Sequence, residues 1–194
     1  FMPLDRIGAY VPGGTAPLVS TVIHTCAIAK AAGVKEIVAV TPPGPEGEVL
    51  PEMLFAMDAA GVTEIYRLGG VYAIGALAYG TETVRSVRKI VGPGNAYVTA
   101  AKKLVYGECA IDMVAGPSEI MIIADGSNNP AYVAADILSQ AEHGSGHEQA
   151  VLVTDSQDLV DQVKIELERQ TQALDRIETV NKVLENGVFL LCFK

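Results

Sequence analysis

A chain of 194 residues, 49% hydrophobic and 19% charged, has room for one large domain or two small ones around a sizeable core. Its net charge of −9, with no basic run, speaks against a nucleic-acid partner, because phosphate binding needs clustered Lys and Arg. No apolar stretch approaches the roughly 18 residues of a membrane span, and FMPLDRIG lacks the basic and apolar regions of a signal peptide. The three cysteines, Cys26, Cys109 and Cys192, form no CxxC pair, so a reducing cytoplasm is the expected location.

The elements follow a strand, turn, helix rhythm. RIGAYV (6–11) reads as a strand, and PGG turns the chain. Residues 16–32 carry apolar positions at helical spacing, with Gly33 just beyond. EIVAV (36–40) suits a strand buried on both faces. A proline-rich loop leads to a helix over 48–61, where Pro51 is tolerable only in the first turn. EIYRL (64–68) is a strand, VYAIGALAYG (71–80) a helix, KIV (89–91) a strand and AYVTAAKKLVYG (96–107) a helix.

AIDMVAGPSE (110–119) reads as a crossing loop. IMIIAD (120–125) is a strand. Asn129 as N-cap and Pro130 at the first position open a helix running to about His143. QAVLVT (149–154) is a strand, and helices are expected over 156–175 and 175–187. VFLLCFK (188–194) is a further strand-like run. With Phe1 ahead of Met2, it suggests a piece of a longer protein. Repeated β-α units predict an α/β fold with parallel, Rossmann-like sheets and flanking helices. We expect two α/β domains, 1–117 and 118–194, the second incomplete.

Three glycine turns, in YVPGGTAPL, RLGGVYAIGAL and VGPGNAYV, join strands to helices. Parallel sheets bind ligands beyond the carboxyl ends of their strands, and helix N-termini there favour phosphates. None of the three fits GxGxxG, and every such fold needs tight turns, so both readings stand. Tyr10 and Asn95 sit beside these turns. A tyrosine can stack on a flat ring, and an asparagine can hold a ribose or an amide. Ser118 in AGPSE precedes a strand, which is not the setting of a nucleophile elbow. Asp136, Gln140 and His143 are spaced four and three apart, which puts them on one helical face. That pattern fits half of a metal site, or a histidine capping a helix end before Gly144. His147 falls in a loop.

Taken together, PLDRIGAYVPGG, GTE, IVGPGNAYVTAAK, IDMVAGPSE and DILSQAEHG resemble the histidinol dehydrogenase family. The resemblance is co-linear from residue 3 to at least residue 154. It implies a zinc enzyme that oxidises L-histidinol to L-histidine through histidinaldehyde, reducing two NAD+. It also implies a homodimer with a small-molecule substrate. Gln140 and His143 match two zinc ligands that also touch substrate, and Ser118 matches a substrate contact. Tyr10 and Asn95 match NAD contacts. Tyr72 stands where the family has a third NAD contact, a glutamine.

The family's remaining Asp and His ligands, and its acid–base Glu-His pair, come from later sequence. No catalytic residue of that pair is therefore expected in this chain. Taken alone, it is expected to bind zinc poorly and to leave histidinol untouched. Two other readings remain open: a related zinc- and NAD-dependent dehydrogenase of another small alcohol or sulfonate, and a non-catalytic nucleotide-binding or assembly module.

Overall fold

The computed structural model describes residues 2–13, 18–115, 119–142, 148–174 and 177–193. The chain divides into two compact units, Phe1–Gly116 and Pro117–Lys194. Each is an α/β unit with a parallel sheet and flanking helices.

Unit 1 holds β1 (Arg6–Tyr10), β2 (Glu36–Thr41), β3 (Glu64–Arg67), β4 (Lys89–Val91) and β5 (Ala110–Ile111). They form one sheet in the order β3-β2-β1-β4-β5, all parallel. Between β1 and β2 runs one helix in three pieces: α1 (Val19–Val22), a π-helical segment (Ile23–Ala27) and α2 (Ile28–Ala31). The helices α3 (Pro51–Ala59), α4 (Gly70–Tyr79) and α5 (Ala96–Val105) make the later crossovers.

Beyond their first residues, Arg6 and Glu36, strands β1 and β2 are largely apolar because both sheet faces are covered. Ile7, Ala9, Ile37 and Ala39 pack with Val22, Cys26, Met53 and Met57 on one face. Tyr10, Val38 and Val40 pack with Ile74, Leu77 and Val98 on the other. The side-chain period of two along a strand produces this alternation. Gly8 allows Leu77 of α4 to approach closely, since a Cβ there would lie 2.8 Å from a Leu77 methyl.

Two expectations change. Ala110–Ile111 is not loop but a short edge strand, pairing with Lys89 and Ile90. The first long helix is not α-helical throughout. Thr25 Oγ1 donates to the Thr21 carbonyl oxygen at 2.6 Å within its π segment. Such side-chain competition for a backbone acceptor leaves no trace in apolar spacing.

At the amino edge of this sheet, Arg6 is buried and serves the first residues of two neighbouring strands. It donates to Glu36 at 2.8 Å and to both oxygens of Glu64 at 2.6 and 2.8 Å. Tyr66 donates to Glu64 at 2.7 Å, and Arg85 pairs with Glu36. The Arg6 hydrogen bonds hold the Glu64 carboxyl down at about 2.

Unit 2 holds β6 (Glu119–Ile123), β7 (Gln149–Thr154) and β8 (Val188–Cys192), parallel and in that order, with α6 (Pro130–Ala141), α7 (Gln157–Thr171) and α8 (Ile177–Asn186). Its core joins Ile137 and Leu138 of α6, Val163 and Leu167 of α7, Val180 and Val183 of α8, and Leu152 of β7. Alternate residues of β6 face that core, while Met121 and Ile123 are exposed. Asn129 caps α6 by accepting from the Ala131 N–H at 2.9 Å, and Ser156 caps α7 at 3.2 Å. Among the described residues no helix is long and apolar enough to cross a membrane.

Candidate functional site

In unit 1 the strand order reverses at β1. The chain moves outward through β2 and β3, then α4 carries it back to β4 on the other side. The carboxyl ends of β1 and β4 therefore flank the reversal point, the usual ligand position in such sheets. Tyr10 ends β1, and the turn Gly92-Pro93-Gly94-Asn95 follows β4. Gly69-Gly70 opens α4 beyond β3, with Tyr72 in its first turn.

Tyr10 is only 4% exposed. Its hydroxyl accepts a hydrogen bond from the Gly70 N–H at 3.1 Å. A ring so enclosed has no open face for stacking on a ligand, which revises the expectation of a stacking tyrosine. Its hydroxyl instead satisfies one of the orphan N–H groups that begin a helix. Tyr72, two residues beyond Gly70, is 78% exposed. Asn95 is exposed and caps α5, its Oδ1 accepting from the Val98 N–H at 3.0 Å. So Tyr10 and Tyr72 are linked through the start of α4, and Asn95 opens the neighbouring helix on the same sheet face.

The turn after β4 is held by a pair of residues that the sequence reading had passed over. Gly92 lies at φ +111°, and a Cβ there would run into the Tyr10 carbonyl oxygen. Its N–H donates to Asp112 Oδ2 at 2.8 Å. Its carbonyl oxygen accepts from Lys102 Nζ at 2.9 Å. Lys102 also pairs with Asp112 Oδ1, which accepts from the Met113 N–H at 2.7 Å. Burial pushes the Asp112 carboxyl up, but the Lys102 ammonium and the Gly92 and Met113 N–H groups outweigh it and leave it below its usual value. Nothing in the run AYVTAAKKLVYG marks Lys102 as buried, so only the fold reveals this contact.

A cleft of about 230 Å³ opens at the carboxyl end of β2, lined by Gly13, Thr41, Pro42, Glu48, Val49 and Met53. That is below the roughly 300–1,000 Å³ of small-molecule sites, so it does not hold a whole dinucleotide.

In unit 2, Gln140 lies in the last turn of α6 at 9% exposure. Asp136 is exposed, so it does not share Gln140's environment. Residues four apart differ by about 40° around a helix. That offset carries Asp136 past the border of the apolar arc made by Val133, Ile137 and Ala141. Ser118, His143 and His147 lie outside the described residues. Among the described residues no group of three or more His, Cys, Asp or Glu is arranged to hold a metal. A wider cavity of about 820 Å³ between α7, α8 and β8 includes none of the candidate residues.

The sequence pattern of the histidinol dehydrogenase family matches residues 1–194. The chain is similar to histidinol dehydrogenases of Bacteroides fragilis, 54% identical over 97% of this chain and 44% of that protein, and of Streptococcus mutans, 53% identical over 95% and 43%. The crystal structure of histidinol dehydrogenase from Elizabethkingia anophelis superposes with a TM-score of 0.93 at 43% identity, covering 98% of this chain and 44% of that one. The chain thus spans less than half the length of the relatives it matches. It belongs to the histidinol dehydrogenase family.

Proposed function

We propose that unit 1 binds NAD+ at the carboxyl edge of its sheet, and that unit 2 contributes Gln140 and His143 to a zinc site completed by sequence outside this chain. The whole protein would oxidise L-histidinol to L-histidine, in the cytoplasm and as a homodimer. The observation that carries the reading is convergence. Tyr10 and Asn95 follow the two strands that flank the reversal point of a 3-2-1-4-5 sheet, and the Gly70 N–H on the Tyr10 hydroxyl ties in the helix start that carries Tyr72.

Each residue then has a physical task. Tyr10 orients the start of α4 through Gly70. Asn95 holds the start of α5, whose first N–H groups suit phosphate oxygens. Tyr72 offers an exposed ring where an aromatic face can pack on a base or a nicotinamide. Bound NAD+ supplies the hydride acceptor. Ser118, Gln140 and His143 are the proposed substrate contacts.

Because the acid–base pair and two zinc ligands are not in these 194 residues, the chain alone should not turn over histidinol. Calorimetric titration tests the reading. NAD+ should bind the purified chain and zinc should bind weakly, with no histidinol-dependent rise in NADH absorbance. Failure of NAD+ to bind would sink the cofactor assignment. Turnover of histidinol would sink the inactivity. Tyr72, in place of the family's glutamine, favours one second reading, a related dehydrogenase of another small alcohol. Comparing histidinol with other alcohols on a protein of full family length separates the two.

A further inference from the structure

Lysine is seldom buried unless its charge is paired, and Lys102 is 3% exposed. Its ammonium faces the Gly92 carbonyl oxygen and Asp112, so it does not reach outward to a ligand. Asp112 takes the N–H of the same Gly92. Both polar groups of a single glycine are thus closed within one ion pair. The three parts come from different places: the turn after β4, the middle of α5 and the segment after β5. Gly92 has no side chain to anchor it and sits at positive φ, a freedom that leaves a turn poorly fixed.

We infer that Lys102 and Asp112 are positioning residues, which preset the Gly92–Asn95 turn and the start of α5 for the phosphates and ribose of a dinucleotide. The inference rests on the reading of this edge as the cofactor site. The pair is neutral overall, so its contribution is geometric. It spares the ligand the entropic cost of ordering the turn.

Three variants of the 194-residue chain test it: Lys102→Met, Asp112→Asn, which keeps the shape of the side chain, and Arg6→Met as a control at the opposite edge. Hydrogen exchange at the Gly92 to Val98 amides needs no ligand. It should quicken at least ten-fold more in either clamp variant than in Arg6→Met, whose effect on these amides should not exceed its effect on the rest of the core. Titration with NAD+ then reads the cofactor role. Kd should rise at least ten-fold in Lys102→Met and Asp112→Asn but not in the control, at matched fractions folded.

Unchanged exchange in a folded Asp112→Asn overturns the clamp. Wild-type binding with unchanged Kd in the clamp variants overturns its link to the cofactor. An equal loss in Arg6→Met would reduce the clamp to general stability and overturn it too. No NAD+ binding by the wild-type chain removes the cofactor reading itself, whatever exchange reports.

Discussion

Arg6 enters the amino edge of the five-stranded sheet and Lys102 lies at its carboxyl edge. Both cations are buried, and each is met by carboxylate. The partners differ. Arg6 reaches side chains on the first residues of β2 and β3, so it ties strand to strand and fixes their alignment. Lys102 reaches a backbone carbonyl in a turn, with Asp112 on the N–H of that same residue, so it ties a loop to a helix. A parallel sheet offers ligands only its carboxyl edge. Similar chemistry thus stabilises the scaffold at one end and shapes a binding turn at the other.

The sharpest way to break this contrast is Gly92→Ala. The methyl group would meet the Tyr10 carbonyl at a positive φ, and unfolding in urea should show a loss of about 3 kcal/mol. A loss under about 1 kcal/mol would mean that the turn yields and the clamp is slack. Next comes Arg6→Met, which takes the guanidinium from two carboxylates and leaves Glu64 with Tyr66 and Glu36 with Arg85. With those carboxylates more than a third exposed, solvent screening limits the loss to about 2 kcal/mol. NAD+ affinity should not change, and a parallel drop would erase the distinction between the edges.

Acid also reports on the amino edge. Glu64 is depressed from 4.5 to about 2, so its contribution is complete above pH 4.5 and disappears as pH falls through about 2. Discounted for its exposure, that contribution is about 1 kcal/mol. Asp112 is also depressed and adds in the same direction. Arg6→Met should flatten most of this slope in stability measured from pH 5 to 2. An unaltered slope would move the acid sensitivity elsewhere.

The smallest expected effects compare two helix caps. Asn95→Ala and Ser156→Ala should each cost up to about 1 kcal/mol in thermal unfolding of their own unit. Only Asn95→Ala should also weaken NAD+ binding. If Ser156→Ala weakens it equally, Asn95 is merely a cap.

Most elements were legible in the sequence because turn chemistry and periodicity are local. Asn129 and Ser156 stand at helix starts that the structure bears out, while the helix read over 48–61 begins only at Pro51 and ends at Ala59. The edge strand Ala110–Ile111 was not legible, because two residues show no period and their pairing with β4 is non-local. At the candidate site, the positions of Tyr10, Tyr72 and Asn95 beside glycine turns were readable. The burial of Tyr10 and of Lys102 was not, since each depends on which neighbours close over it.

The two sheets carry the same lesson. EIVAV and IMIIAD look alike as apolar runs, and the sequence by itself determines only that each is a strand in a β-α rhythm. Tertiary structure decides what covers them. In unit 1 the strand order reverses at β1, so right-handed crossovers send α1 and α3 to one face and α4 and α5 to the other. In unit 2 the order β6-β7-β8 advances one way, so α6, α7 and α8 share one face and leave Met121 and Ile123 exposed. The hand of the crossover is general to L-amino-acid chains. The direction of each step, which selects the face, is set only by long-range pairing.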